Sequence, residues 1–284
     1  PTDVGDGPDG AGLVAYAQRM HEWEMQRRSP DPRLRGLVHS YTGYVECAPA
    51  PLRRLEAATM TIPMILSLGP GMIVAGERFS SFVAGPIDGP TVTEHAGEQL
   101  GIEVNLTPPG ARRLLGVPLA EIAHRVVEFA DLLGRPGAEL IERLGEAPDW
   151  AARFALLDAA LLERLVEADP LRAEVAHARA LLDAAHGCRP VEGLAREVGW
   201  SRRHLAARFK QDVGVSPKTA ARILRFERVT TLLRSGRAGT LADAAYACGY
   251  ADQAHLHRDF RAFAGTTPTD YAARVMPAWR GVAA

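Results

Sequence analysis

Two stretches of this chain repeat one another at a spacing of about fifty residues, and this constrains the chain more than any other feature. The first reads VEGLAREVGWSRRHLAARFKQDVGVSP over residues 191–217. The second reads LADAAYACGYADQAHLHRDFRAFAGTTP over residues 241–268. Ala195, Val198, Gly199 and Trp200 match Ala245, Cys248, Gly249 and Tyr250 at an offset of 50. Leu205, Phe209, Gly214 and Pro217 match Leu256, Phe260, Gly265 and Pro268 at an offset of 51. The extra residue falls in the turn between the two halves of each copy, where an insertion costs least.

Each copy predicts two helices at a steep angle. A short helix ends at an apolar residue followed by a Gly, which can take the positive φ that a tight turn requires. The next helix anchors itself through Leu and Phe four apart, Leu205 with Phe209 and Leu256 with Phe260, which mark its buried stripe. The other face is free to enter a groove. In the first copy that face holds Arg202, Arg203, Ala206, Ala207 and Lys210; in the second it holds Gln253, Ala254, His257, Arg258 and Arg261. Residues 217–235 join the copies, and nineteen helical residues span roughly 28 Å. That length suits a spacer holding two reading helices in successive major grooves, roughly 34 Å apart.

Charge agrees with a polyanionic partner. Residues 171–284 hold 18 Lys and Arg against 10 Asp and Glu, whereas residues 1–170 hold 15 against 24, so the net charge of −1 hides an asymmetry. Arg203 and Arg258 suit guanine O6 and N7, and Gln253 suits adenine. Arg202 and Lys210 suit phosphates, which position a protein without specifying sequence. His204 and His255 fall off the groove face and read as packing or surface.

Residues 175–275 resemble the DNA-binding region of AraC/XylS-type transcription regulators, and GYADQAHLHRDFRAFAGTTPTDY, residues 249–271, is similar to that family's signature stretch. The resemblance implies a C-terminal tandem helix-turn-helix behind a variable N-terminal domain, often a cupin-like β-barrel, for effector binding and dimerisation. It also implies double-stranded DNA as partner, RNA polymerase where the protein activates, a homodimer, a cytoplasmic location and no cofactor. The N-terminal half is similar to that of uncharacterised actinobacterial members, which names no ligand. One departure stands out. The family carries an Arg two residues after the Leu of each reading helix; Arg258 fits, but the first copy has Ala207 there, with Arg208 one place further on. The first helix is therefore expected to read few bases, mainly through Arg203.

The rest of the chain predicts an α+β, multidomain protein. Residues 1–36 read as a tail followed by an amphipathic helix over 13–28. Residues 37–110 alternate short apolar runs (37–45, 60–68, 72–74, 80–84 and 99–106) with Gly and Pro breakers, which predicts an antiparallel sandwich or barrel; the resemblance implies a cupin-like antiparallel β-barrel with flanking helices. Residues 111–170 turn helical: a helix from Pro118 through Val127 to Leu133, a short one over 140–144, and an amphipathic one over 149–167 that could pair two chains or pack on its own barrel. Pairing is the expected role. Residues 171–284 form the all-α region.

Other chemistry finds little support. The three cysteines, Cys47, Cys188 and Cys248, lack zinc spacing. A metal-dependent cupin enzyme needs a His pair on a strand with a further His and an acid, and residues 37–110 offer only His39 and His95. A DNA-repair alkyl acceptor needs a zinc-bound Cys cluster, and the N-terminal half has Cys47 alone. No metal and no catalytic residue are expected, and the chain is read as not an enzyme. No apolar run is long enough to span a membrane. Glu46, Glu77, Glu94 and Glu103 read as exposed charges. Tyr41, Tyr44, Met64 and Phe82 are candidates to line an effector cavity, with Trp23, Met60 and Phe79 behind them.

Overall fold

A computed structural model describes residues 22–165, 170–235, 239–274 and 282–283. An antiparallel sheet fills the N-terminal half and helices fill the C-terminal part. The sheet strands are β1 (Glu22–Arg28), β2 (Val38–Glu56), β3 (Ile62–Ser67), β4 (Met72–Val74), β5 (Glu77–Phe79), β6 (Phe82–Ala84), β7 (Thr91–Leu106), β8 (Val126–Glu128) and β9 (Val282–Ala283). Their main path runs β1-β2-β7-β3-β6-β8, with β4 and β5 branching from β7 and β9 pairing β2. The two ends of this path, β1 and β8, do not pair among the described residues, so the sheet is not a closed barrel.

The run of short strands expected from the breakers is corrected to two long ones at the centre, β2 and β7. Pro49 and Pro51 do not end β2. They fall in a bulge between Ala48 and Leu52, opposite Gly97 and His95, where a residue without a backbone N–H breaks no ladder bond. The expected helix over 13–28 is also corrected. Its first part, 13–21, lies outside the described residues, but Glu22–Arg28 is a strand, because Trp23, Met25 and Arg27 alternate with polar neighbours and pair with the open edge of β2. Likewise Val126–Glu128, expected inside a helix, is a strand paired to β6. Two adjacent β-branched valines favour that geometry.

On one face of the sheet lie α1 (Pro108–Leu115), α2 (Leu119–Ile122), α3 (Phe129–Glu146, broken at Gly134, φ 62°) and α4 (Trp150–Arg164). Ile62, Met64 and Leu66 of β3 and Ile102, Val104 and Leu106 of β7 point into this core with Phe129, Leu144, Phe154 and Leu157. Residues 166–169, the last part of the helix expected over 149–167, lie outside the described residues. The apolar face of α4 is buried against its own sheet. Phe154 stacks on Tyr41 with ring centroids 6.0 Å apart. That face is not free to pair two chains.

The C-terminal region holds α5 (Ala173–Ala184), α6 (Val191–Glu197), α7 (Arg202–Val213), α8 (Pro217–Arg234), α9 (Leu241–Ala247), α10 (Gln253–Ala264) and α11 (Pro268–Arg274). Leu205 and Phe209 of α7 and Leu256 and Phe260 of α10 are fully buried. Phe260 meets Phe226 of the connecting α8 edge-on at 4.9 Å. Truncating such a ring costs about 3–5 kcal/mol. Ala58 and Met60 of the N-terminal half belong to this second core.

Candidate nucleic-acid interface and a cavity

The two repeats fold into the same local structure for the same local reasons. Helix α6 turns at Gly199 (φ +70°) and α9 at Gly249 (φ +76°). The following helices are capped at equivalent places. The Ser201 hydroxyl accepts from His204 N, and the Asp252 carboxylate accepts from His255 N. Such caps are worth about 1 kcal/mol each. The likeness extends past each reading helix, where Ser216 caps α8 and Thr267 accepts from Asp270 N at the start of α11. His204 packs edge-on against Trp200 at 4.6 Å, and His255 against Tyr250 at 5.1 Å. Each imidazole thus has a ring neighbour, though His204 stays exposed and His255 half-buried.

Of the residues singled out for DNA, Arg202, Arg203, Lys210, Gln253, Arg258 and Arg261 are exposed and His257 is half-buried. They lie on α7 and α10, opposite the buried Leu and Phe stripes. Arg202 is held by Glu192 of α6 in an exposed ion pair. No ion pair to Arg203, Lys210, Arg258 or Arg261 occurs among the described residues. Arg208 hydrogen-bonds Gln211 at 3.2 Å, along the flank of α7.

The C-terminal end of α7 is tied to the N-terminal half. Asp212, 2% exposed, is gripped by Arg172 and lies 3.6 Å from Arg112 of α1. A buried carboxylate at a helix C-terminus opposes the helix dipole, and the two guanidinium groups offset it. Helix α2 packs on α7, and Gly214 (φ +86°) passes so close to Pro86 that a Cβ there would lie 2.6 Å from its ring. On the second unit, Ala58 N donates to Phe263 O at 2.9 Å. Glu227 of α8 accepts from Thr59 Oγ1 at 2.6 Å and from Met60 N at 3.1 Å.

The face of the sheet turned away from α1–α4 is not an open solvated surface. It lines a cavity of about 540 Å³. Even-numbered residues of β2 (Thr42, Tyr44, Glu46, Arg54 and Glu56) and odd-numbered ones of β7 (Thr93, His95, Gln99, Glu103 and Asn105) share this wall. Gly101 lies opposite Tyr44, and a Cβ there would fall 2.7 Å from the Tyr44 hydroxyl, so only Gly admits the ring. Glu46, expected to be exposed, is 1% exposed: it accepts from His95 Nε2 at 2.9 Å and is paired with Arg54. Glu103 is half-buried against the cavity rather than exposed. Burial pushes the Glu56 carboxyl up to about 7; Glu103 and Glu46 add to the rise, while Arg54 and the Thr93 hydroxyl oppose it.

Tyr41, Tyr44 and Phe82 border the cavity. Tyr41 is committed to Phe154 and to Asp158, which accepts from its hydroxyl at 3.0 Å. Burial, and then the Asp158 charge, push the Tyr41 phenol far up. Met64 lies in the core on the other face of the sheet. Met60 belongs to the second core, Phe79 packs in a small cluster with Phe82, and the Trp23 side chain lies outside the described residues. Arg54, His95 and Gln99 were missed. The two-residue period places Arg54 and Glu56, and on β7 His95 and Gln99, on one face, but a period does not say whether that face meets water. Cys47 is exposed and Cys248 is buried. Among the described residues no group of three His, Cys, Asp or Glu side chains is placed to hold a metal, and no helix is long and apolar enough to cross a membrane.

Residues 194–274 match the family described as "Helix-turn-helix domain". The chain is 38% identical over 95 residues to a putative AraC-like transcription regulator from Streptomyces antibioticus, covering 34% of this chain and 31% of that protein. It thus spans about a third of the length of that curated relative. Two solved structures are similar at low identity. The C-terminal domain of AraT, a response regulator from Geobacillus stearothermophilus, is 23% identical, with 37% of this chain and 88% of that one covered and a TM-score of 0.35. ToxT from Vibrio cholerae is 10% identical, with 89% of this chain and 98% of that one covered and a TM-score of 0.48. With its paired helices, matched caps and basic outer faces, the C-terminal region of this chain is similar to the helix-turn-helix family over residues 194–274.

Proposed function

We propose that this chain is a sequence-specific, DNA-binding transcription regulator whose N-terminal domain holds a small-molecule effector. One observation carries the DNA reading: α7 and α10 are capped and anchored alike and present Arg203, Lys210, Arg258 and Arg261 outward with no acidic partner among the described residues. In this reading Arg203 and Arg258 pair with guanine, Gln253 with adenine, and Arg202, Lys210 and Arg261 with phosphates, while His257 touches the groove edge. The 18-residue α8 spans about 27 Å and separates the two reading helices by near one helical turn of DNA.

The effector reading rests on a shared segment. Ala58 and Thr59 border the cavity, and the same two residues bond Phe263 and Glu227 of the helical region. A ligand that shifts residues 57–61 changes how the two halves dock. A homodimer, if formed, uses a surface other than the buried face of α4.

The test is selection of bound sites from a random duplex pool with the purified chain at ~150 mM salt. The expected result is a motif with two contact clusters about 10 bp apart. Sequence-independent binding would make this an architectural DNA binder instead.

A further inference from the structure

The cavity wall has a chemical sign. We infer that the cavity takes a small organic cation carrying N–H donors on an apolar body, an amine or amidine rather than a carboxylate. This deepens, and rests on, the reading of the N-terminal domain as effector-binding.

Two observations carry it independently. The first is the polar atoms left over. The ionised Glu46 can only accept, so His95 Nε2 donates to it, and in the neutral ring Nδ1 is then an acceptor. That Nδ1 has no hydrogen-bond partner, and the His95 side chain is 4% exposed. Gln99, 1% exposed, donates its amide to Gly71 O at 3.4 Å, which leaves its Oε1 as an acceptor without a partner. Both side chains line the cavity. Buried acceptors of this kind are costly to leave without a donor.

The second observation is charge. The inner wall holds three carboxyl groups, Glu46, Glu56 and Glu103, against the single guanidinium of Arg54. Glu56 is pushed up to about 7 chiefly by burial, with Arg54 opposing the rise and Glu103 and Glu46 adding to it, and a cation beside it would favour its charged form. The rim has the opposite sign, with Arg27, Arg28 and Arg234 exposed there. Solvated guanidinium groups are screened more strongly than the buried and half-buried carboxyl groups of the wall. Ile65, Met72, Val74 and Phe82 supply the apolar part of the wall. Unpaired acceptors and excess carboxyl groups ask for the same ligand, one that gives N–H bonds and brings positive charge.

Benzylammonium, benzyl alcohol and phenylacetate share one apolar body and differ in charge. Each is titrated into the full chain by calorimetry and by thermal melting, with no DNA present. Benzylammonium is expected to bind at least about tenfold more tightly than either of the others. The double substitution Glu56→Gln with Glu103→Gln is expected to lose that preference without lowering the melting temperature. Tighter binding of phenylacetate, an undiminished preference for benzylammonium in the folded double variant, or no binding of any of the three at millimolar concentration would overturn the proposal. Because DNA is absent, failure here leaves the helix-turn-helix reading intact, and failure to select DNA sites leaves this result standing.

Discussion

Thr59, on the edge of the cavity, donates a 2.6 Å hydrogen bond to Glu227, on the helix that joins the two reading units. Glu227 also accepts from Met60 N, so one carboxylate grips the segment between β2 and β3 that borders the cavity. Thr59→Val removes the hydroxyl donor while keeping the shape. We expect a loss of about 1.5–3 kcal/mol of stability, the range for a hydrogen bond to a charged group. Denaturant unfolding checks the loss. Hydrogen exchange checks its location, with residues 57–61 expected to open first.

Asp212 presents the sharper case on the first unit. It is buried, sits at the end of α7, and is held by Arg172 and Arg112. Removing the charge leaves two partly buried guanidinium groups without their carboxylate. Asp212→Asn is expected to destabilise by about 3–5 kcal/mol, read by chemical melting. Asp212→Leu with Arg112→Leu is expected to recover part of that.

In the proposed reading Arg258 contacts a base and Arg202 a phosphate, and their substitutions tell the two roles apart. Arg258→Ala is expected to cost about 1–3 kcal/mol in binding to the selected site and to relax the preference at one base position. Arg202→Ala is expected to weaken all sequences alike and to flatten the salt dependence by about one unit of slope. A uniform loss for Arg258→Ala would reassign it to a phosphate.

Glu56 gives stability a pH dependence. Its ordinary value is 4.5 and in the folded chain it stands near 7, with Arg54, Glu46, Glu103 and the Thr93 hydroxyl facing it. Between those values the unfolded chain gives up the proton and the folded chain keeps it. Stability therefore falls as pH rises from about 4.5 to about 7, then levels off. Glu56→Gln is expected to remove this slope and to gain about 1–3 kcal/mol at pH 8 relative to its effect at pH 4. Melting the two proteins across that range checks it; parallel curves would place Glu56 in water.

Gly214 tests the docking of the two halves. It combines a φ of +86° with a Cβ position 2.6 Å from Pro86. Gly214→Ala is expected to cost more than the roughly 1 kcal/mol of backbone strain alone. The excess should vanish when Pro86→Gly is added, a double-mutant cycle that isolates the contact.

The sequence by itself determined the C-terminal region. Gly199 and Gly249 at the turns, Ser201 and Asp252 as caps, and the Leu and Phe four apart act within a few residues of themselves, and local chemistry of that kind survives in any context. Glu22–Arg28 was decided by tertiary structure. Seven residues with Trp23 and Met25 two apart satisfy a strand as well as the end of a helix, and the open edge of β2 settled it. The alternation around Glu46, Arg54, Glu56 and Glu103 was legible as a two-faced strand pattern, but which face met water was not. Period two assigns residues to opposite sides of a sheet; only the packing of α1–α4 on one side, and of a strand segment and a helix end around the other, decided that the polar side would be a wall and not a surface. The ligand chemistry written on that wall belongs to the tertiary structure for the same reason: His95 and Gln99 become acceptors without donors only once the chain has closed over them.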